Sequence, residues 1–307
     1  MLKVINTISI RGICMQRKSW MGYAALILVT LIWGTTFSIT KSSLASAPPL
    51  YFLAWRFSIA AAALLLLNLP LLRTLTRDEL TGGLVSGASM AIGYIAQTVG
   101  MVYSTAAKAG FITGLAVVLV PLLGALFFRR RPHFGVYIFA AVAAVGLALL
   151  SLDFSADFAL NPGDLLLFIC AVAFAVNILN LAKYAPRCRV LMLTLVQVAV
   201  TGIACWLSSM LLEEPASLTC QVWAGLFYLA FIGTILTTAG QTWGQRLVGP
   251  ERAALVFSLE PVFAAVFAFI LLGEKLPPLG LMGSGLIMAG IIGAELVAHR
   301  GKQREKE

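Results

Sequence analysis

Charge is what this chain has least of. Only 11% of its 307 residues are Asp, Glu, Lys or Arg, against about 25% in soluble domains. With 60% hydrophobic residues and a mean hydropathy of +0.94, it has more apolar surface than a soluble fold of this size can hide. Histidine is scarcer still: His133 and His299 each lie near an Arg, which argues against a metal site. The five cysteines (Cys14, Cys170, Cys188, Cys205, Cys220) form no CxxC pair, and only Cys220 approaches an outer surface, so no disulfide framework is implied. No Walker loop, GxGxxG, HExxH or ordered Ser-His-Asp set is present, which disfavours an enzyme and an ATP-driven step within this chain. No cofactor is expected. No basic face interleaves with aromatics, so the formal charge of +9 does not read as nucleic-acid binding.

What the chain has is apolar stretches of bilayer length. A helical span needs about 20 mostly apolar residues, and ten such stretches lie near 21–41, 49–72, 80–103, 106–128, 134–152, 163–183, 190–212, 219–243, 252–272 and 278–298. The expected fold is all-α and integral to the membrane, with the lipid bilayer as its surroundings. Lys and Arg fall in alternate gaps. With the N-terminus inside, cytoplasmic segments hold 18 of the 22 cations, leaving only Lys41, Lys108, Lys275 and Arg56 elsewhere. That bias is the positive-inside rule, and it places both termini in the cytoplasm. Residues 1–20 do not resemble a cleaved signal, because Arg11 interrupts the apolar run, and Met15-Gln-Arg-Lys reads as a second plausible start.

The chain also repeats itself. Gln97-Thr-Val-Gly recurs as Gln241-Thr-Trp-Gly, Lys108-Ala-Gly as Arg252-Ala-Ala, and Arg129-Arg-Arg as Gly273-Glu-Lys, always 144 residues on. Five spans per copy is an odd number, so the second copy must insert upside down. The expected organisation is a cytoplasmic segment (1–20), a first repeat (21–152), a second repeat (163–298) and a basic cytoplasmic tail (299–307). Inverted repeats are a transporter architecture, with the site near the midplane where the halves meet.

The polar residues within spans are the candidates for chemistry. Glu260, in Ser258-Leu-Glu-Pro, lies eight residues from Arg252 and so about 12 Å from the cytoplasmic end. A carboxylate at that depth costs roughly 2.5–3.5 kcal/mol on an insertion scale. It reads as a cation, amine or proton site, or as a structural Glu bonded to a neighbouring helix. Pro261 beside it cannot donate to the carbonyl of Phe257, which marks a helix break. Arg56 reads as a partner for a substrate carboxylate or an acid, or as a side chain snorkelling outward beside Trp55 and Tyr51. Gln97, Gln241, Asn177 and Asn180 suit hydrogen bonding to a zwitterionic solute, or helix–helix glue. Trp33-Gly34-Thr35-Thr36-Phe37 combines an aromatic wall, a permitted kink and hydroxyls too deep for the interface. Tyr94 and Thr113 are weaker cavity candidates. Pro121 interrupts the fourth span one turn later than Pro261 interrupts the ninth, so the repeats are expected to break at different levels. Small residues at Ala140, Ala144 and Ala148, and at Gly285, Ala289 and Gly293, read as close helix packing, with a dimer face as the alternative; a homodimer is compatible but not required.

In order and spacing, Leu31-Ile-Trp-Gly-Thr-Thr-Phe, Trp55-Arg-Phe, Ala109-Gly-Phe-Ile-Thr-Gly-Leu, Leu259-Glu-Pro and Leu272-Gly-Glu-Lys resemble the EamA-type transporters of the drug/metabolite transporter superfamily over residues 20–298. The chain departs from that pattern at Arg129-Arg-Arg-Pro, where the family often repeats Gly-Glu-Arg; this puts in doubt a symmetric role for Glu274. The resemblance implies ten transmembrane helices in two inverted five-helix repeats. It also implies a bacterial inner-membrane carrier of small metabolites, often amino-acid or related efflux, working by alternating access. One acid and one base within the spans suit a zwitterion, with Glu260 as the site of proton coupling. Rival readings are a sugar or nucleotide-sugar carrier on the same scaffold, and a non-transporting membrane sensor or assembly protein.

Overall fold

A computed structural model describes residues 2–104, 106–127, 133–151, 162–263, 266–267 and 278–304, with backbone alone at 2–18, 106–108, 150–151, 295 and 298–304. The described chain is helical throughout: α1 (Leu2–Leu44), α2 (Pro49–Asn68), α3 (Arg77–Tyr103), α4 (Ala106–Gly114), α5 (Ala116–Phe127), α6 (Phe134–Ser151), α7 (Pro162–Tyr184), α8 (Val190–Leu212), α9 (Cys220–Ala230), α10 (Thr237–Val248), α11 (Pro250–Phe257) and α12 (Pro278–Arg304). Seven stretches are long and apolar enough to cross a membrane: Ser19–Leu44, Pro49–Thr74, Arg77–Tyr103, Ala109–Phe127, Pro162–Arg187, Val190–Leu212 and Cys220–Val248. Phe134–Leu149 and Pro278–Ala294 are shorter apolar helices. The end of the expected ninth span (264–265 and 268–272), and the Arg129–Arg131 and Gly273–Lys275 motifs, lie outside the described residues. This is a multi-pass membrane protein.

The repeat is visible in how helices pack. α1 lies against α10 as α3 lies against α7, while α2 pairs with α8 and α6 with α12. The same correspondence reaches single glycines. A Cβ on Gly244 would come 3.1 Å from the carbonyl of Gly22, and one on Gly100 would come 3.0 Å from that of Gly163. Gly22 precedes Gly163 by 141 residues and Gly100 precedes Gly244 by 144, so one close approach is the repeat image of the other. Such contacts let polar backbones pack tightly where lipid offers no hydrophobic drive. In the α6–α12 pair the contacting stripe is Ala140, Ala143, Gly146 and Leu147 against Gly283, Ile287, Gly290 and Ala294. Gly285 and Ala289 face outward while Gly293 is buried against Phe139 of α6, so the expected small-residue stripe on α12 packs at one of its three positions.

Carboxylates cap both helices of the α2–α8 pair. Pro48, the residue before α2, offers no side-chain acceptor, and Glu213 at the end of α8 supplies one, accepting from Leu50 N at 3.0 Å and Tyr51 N at 2.7 Å. At the other end Glu79 accepts from Arg189 N (3.1 Å), Nε (2.7 Å) and Nη2 (2.8 Å) at the start of α8. Glu79 also closes a reciprocal capping box with Thr76, satisfying the first turn of α3. The Glu79 carboxylate in turn holds the Arg189 proton more firmly than in a free guanidinium.

Two spans are broken. In the fourth, Leu115 separates α4 from α5, and Leu115 N and Val118 N donate to carbonyls three residues back, Ile112 and Leu115. In the ninth, Ser258 and Leu259 form a turn after α11, and helix resumes at 260. Leu115 and Leu259 are 144 residues apart, so the repeats break at the same level and not at different ones. Pro121 lies inside continuous α5. It lies six residues past the break, beyond the i−4 carbonyl that a proline disturbs, so Pro121 does not set its level.

Candidate functional site

The breaks meet around a central cavity of about 100 Å³, walled by α1–α5, α7, α10, α11 and the resumed turn at 260–261. Its wall is built in corresponding pairs. Gly110, Thr113, Gly114, Ala116 and Val117 all line it, and so do the residues 144 further on: Ala254, Phe257, Ser258, Glu260 and Pro261. Tyr94 and Gln97 of α3 correspond in the same way to Thr238 and Gln241 of α10. Trp33, Thr36 and Phe37 of α1 correspond to Phe174, Asn177 and Ile178 of α7, 141 residues on.

Two charges break the correspondence. Glu260 stands where the first repeat has Ala116, and Arg56 comes from α2 alone. Arg56 is 3% exposed and turns inward rather than snorkelling. Its Nε donates to Thr234 Oγ1 and its Nη2 to the Gly233 carbonyl, both at 2.9 Å. Those acceptors belong to a π-helical turn, Phe231–Leu236, between α9 and α10. Such turns insert one residue into a helix and recur at functional sites. The guanidinium also lies 5.0 Å from the Tyr94 ring centroid and 5.5 Å from that of Phe57. Tyr94 in turn meets Phe57 at 5.0 Å and Phe174 at 5.4 Å. Among the described residues, Glu260 accepts no hydrogen bond and makes no ion pair with Arg56.

The uncharged polar residues divide in two. Gln97 lines the cavity with no hydrogen-bond partner among the described residues, so both ends of its amide are available. Asn177 and Gln241 are tied to the scaffold: Asn177 Nδ2 donates to Ser86 O at 2.8 Å, and Gln241 Nε2 approaches Asn177 Oδ1 at 3.5 Å. Thr113 back-bonds to Ala109 O at 2.8 Å. Trp33 packs on Phe257 at 5.1 Å, and its Nε1 is buried without a partner.

Of the residues singled out from sequence, the cavity gathers Trp33, Arg56, Tyr94, Gln97, Thr113, Asn177, Gln241, Glu260 and Pro261. Thr35 faces away from it, bonding Ile32 O at 2.7 Å and the Tyr228 hydroxyl at 2.8 Å. Asn180 is buried one turn beyond Asn177 and is not part of the wall. Gly34 lies in an uninterrupted stretch of α1, so no break occurs there. Phe174, Thr238 and Ser258 line the cavity without having been singled out. The repeat register would have found them, because each sits one repeat from Trp33, Tyr94 and Gly114.

A polytopic helical protein with two corresponding halves and a cavity at paired helix breaks is, by architecture, a membrane transporter. The chain belongs to the EamA-like transporter family, whose model matches residues 20–152 and again 161–295. It is 32% identical over 268 residues to an uncharacterized transporter of Archaeoglobus fulgidus, covering 87% of this chain and 83% of that one. It is 30% identical over 297 residues to a "probable amino-acid metabolite efflux pump" of Salmonella typhimurium, covering 90% and 94%. One solved crystal structure superposes with a TM-score of 0.74 at 18% identity, covering 92% of this chain and 99% of that one, a likeness of fold.

Proposed function

We propose that this chain is a secondary transporter that exports amino acids or related small zwitterions by alternating access around the central cavity. The observation that carries this reading is a largely uncharged wall, matched repeat to repeat, that holds one cation and one anion unpaired with each other. Two opposite charges kept apart in one cavity suit a solute that bears both. A phosphate would call for several cations, and among the described residues Arg56 is the one on the wall. The relatives named as amino-acid metabolite efflux pumps support both the substrate class and the outward direction. In this reading Arg56, oriented by the π-helical turn and Tyr94, receives a carboxylate, while Glu260 takes up and releases a proton in each cycle. Ten spans in two inverted five-helix repeats, with both termini in the cytoplasm, frame the cycle, and each repeat contributes one broken helix to the gate.

Solute counterflow in proteoliposomes tests it without knowledge of the driving ion. Amino acids are expected to exchange, and sugars, nucleotide sugars and polyamines are not; exchange of sugars alone would overturn the substrate class. For coupling, Glu260→Gln is expected to keep counterflow but lose the pH dependence of net transport. A wild-type rate with an unchanged pH profile would remove Glu260 from the coupling step.

A further inference from the structure

The cavity is not symmetric along its length. On α1 and α3 its wall runs on to Thr40, Thr98 and Met101, toward the ends of those helices. Their repeat counterparts on α7 and α10 are Leu181, Thr242 and Gln245, and none of these lines the cavity. All six side chains are buried, at 0–6% exposure, so the halves differ in whether a cavity adjoins these residues and not in their burial. One half of the lengthwise path is therefore present as cavity, and its image in the other repeat is collapsed.

The collapsed half is polar and badly satisfied. Ser86 Oγ, Asn180 Nδ2, Gln197 Oε1 and Gln245 Oε1 are all buried without a hydrogen-bond partner. They are strung along α3, α7, α8 and α10 on the side of the cavity where α7 and α10 end. The contacts that do join this seam are long: Gln245 Nε2 to Ile178 O at 3.4 Å and Gln197 Nε2 to Thr242 Oγ1 at 3.4 Å. The seam also continues the cavity wall, since Asn180 lies one turn past Asn177 and Gln245 one turn past Gln241. Buried polar atoms are normally paired, and each orphan calls for a reason. A permanent helix contact would do better with apolar or fully bonded residues. A path that fills with water in another state of the protein needs polar groups, and tolerates their poor bonding while closed.

We infer that Asn180, Gln197, Thr242 and Gln245 line the second half of the solute path, the half that opens toward the ends of α7 and α10 when the first half closes. The inference rests on the alternating-access reading above and assigns it residues. By the distribution of Lys and Arg, this half faces the cytoplasm.

Cysteine accessibility tests it. Gln245→Cys, Leu179→Cys and Gln97→Cys are placed singly in a chain whose native cysteines are replaced by alanine. Each is reconstituted and exposed to a small, membrane-impermeant thiol reagent from either side. Leu179, fully buried on α7 outside the seam, is the control. Gln245→Cys is expected to label from the cytoplasmic side at least about tenfold faster than Leu179→Cys, as an excursion to a minor open state allows. Gln97→Cys is expected to label from the outside. Equal rates at 245 and 179 would overturn the inference. Counterflow is measured in the same vesicles. Exchange without labelling at 245 therefore refutes this path alone, whereas no exchange of any solute refutes the carrier reading beneath it. A second variant needs no cysteine-free background. Gln245→Met keeps the length and removes the orphaned acceptor, so it should raise the melting temperature while slowing counterflow. A merely structural Gln245 would give lower stability with unchanged turnover per folded molecule, and that result would also overturn the inference.

Discussion

Adding one methyl group at either of two glycines on the α6–α12 pair should have opposite effects on stability. At Gly146 a Cβ would stand 2.6 Å from Gly283 O and 2.8 Å from Ile287 N, both backbone atoms of the facing helix. Neither can swing away, so Gly146→Ala must push α12 outward. Overpacking of this kind costs about 1–3 kcal/mol. At Gly285 a Cβ would meet nothing within 4 Å. Both substitutions gain the same helix propensity, about 1 kcal/mol for Ala over Gly. That gain cancels when the two variants are compared, leaving a gap of about 1–3 kcal/mol from packing alone. Intrinsic tryptophan fluorescence during a thermal ramp, in detergent and again in lipid nanodiscs at one scan rate, reads the gap as a lower midpoint for Gly146→Ala. Gly285→Ala should match or exceed the parent. If Gly285→Ala is the less stable of the two, the packing register derived above is wrong, and the Gly285 face makes a contact that belongs to a second copy of the chain.

Three further outcomes follow from contacts outside the cavity. Glu213→Gln weakens the cap on α2 and should cost about 1 kcal/mol, read as a lower unfolding midpoint; no change would mean that water replaces the cap freely. Glu79→Gln and Arg189→Gln should each lower the midpoint, and the double variant should lose less than the sum, because the two groups share bonds; strict additivity would refute their coupling. Burial, with help from Glu79 and Asp78, pushes the Cys188 thiol up from 9.0 to about 11, leaving about a hundredfold less thiolate at pH 8 than an ordinary cysteine has. Iodoacetamide should therefore react slowly at Cys188 at pH 8 and faster as pH rises toward 11, while exposed Cys220 reacts readily. Rapid alkylation of Cys188 at pH 8 would contradict its burial.

The parts of the fold that depend on composition along one stretch were legible from sequence. The span read at 190–212 coincides with α8, because charged residues bound an uncharged, mostly apolar run on both sides. Gln97 and Gln241, visible as a repeat in the sequence, both lie on the cavity wall. What could not be read depends on where distant segments meet. The inward turn of Arg56 is decided by a π-helical turn more than 170 residues away, and nothing near Arg56 signals it. Pro121 does not mark the level of the fourth-span break, because helix α5 continues through it and the turn falls six residues earlier at Leu115. Thr35 and Thr36 are neighbours of one chemical type, yet only Thr36 faces the cavity, since helical phase separates them by about 100°.

The matched breaks at Leu115 and Ser258–Leu259 carry an energetic corollary. If the two halves of the chain were identical, exchanging their shapes would turn one opening into the other at no cost, and the protein would rest equally in both. Any preference must come from side chains that have no twin. In the alternating-access cycle proposed above, Glu260 opposite Ala116, Trp33 opposite Phe174, Thr36 opposite Asn177, and Arg56 with its π-helical turn are among the places where a resting bias would be set. In that cycle, a solute that touches those residues would act directly on the switch.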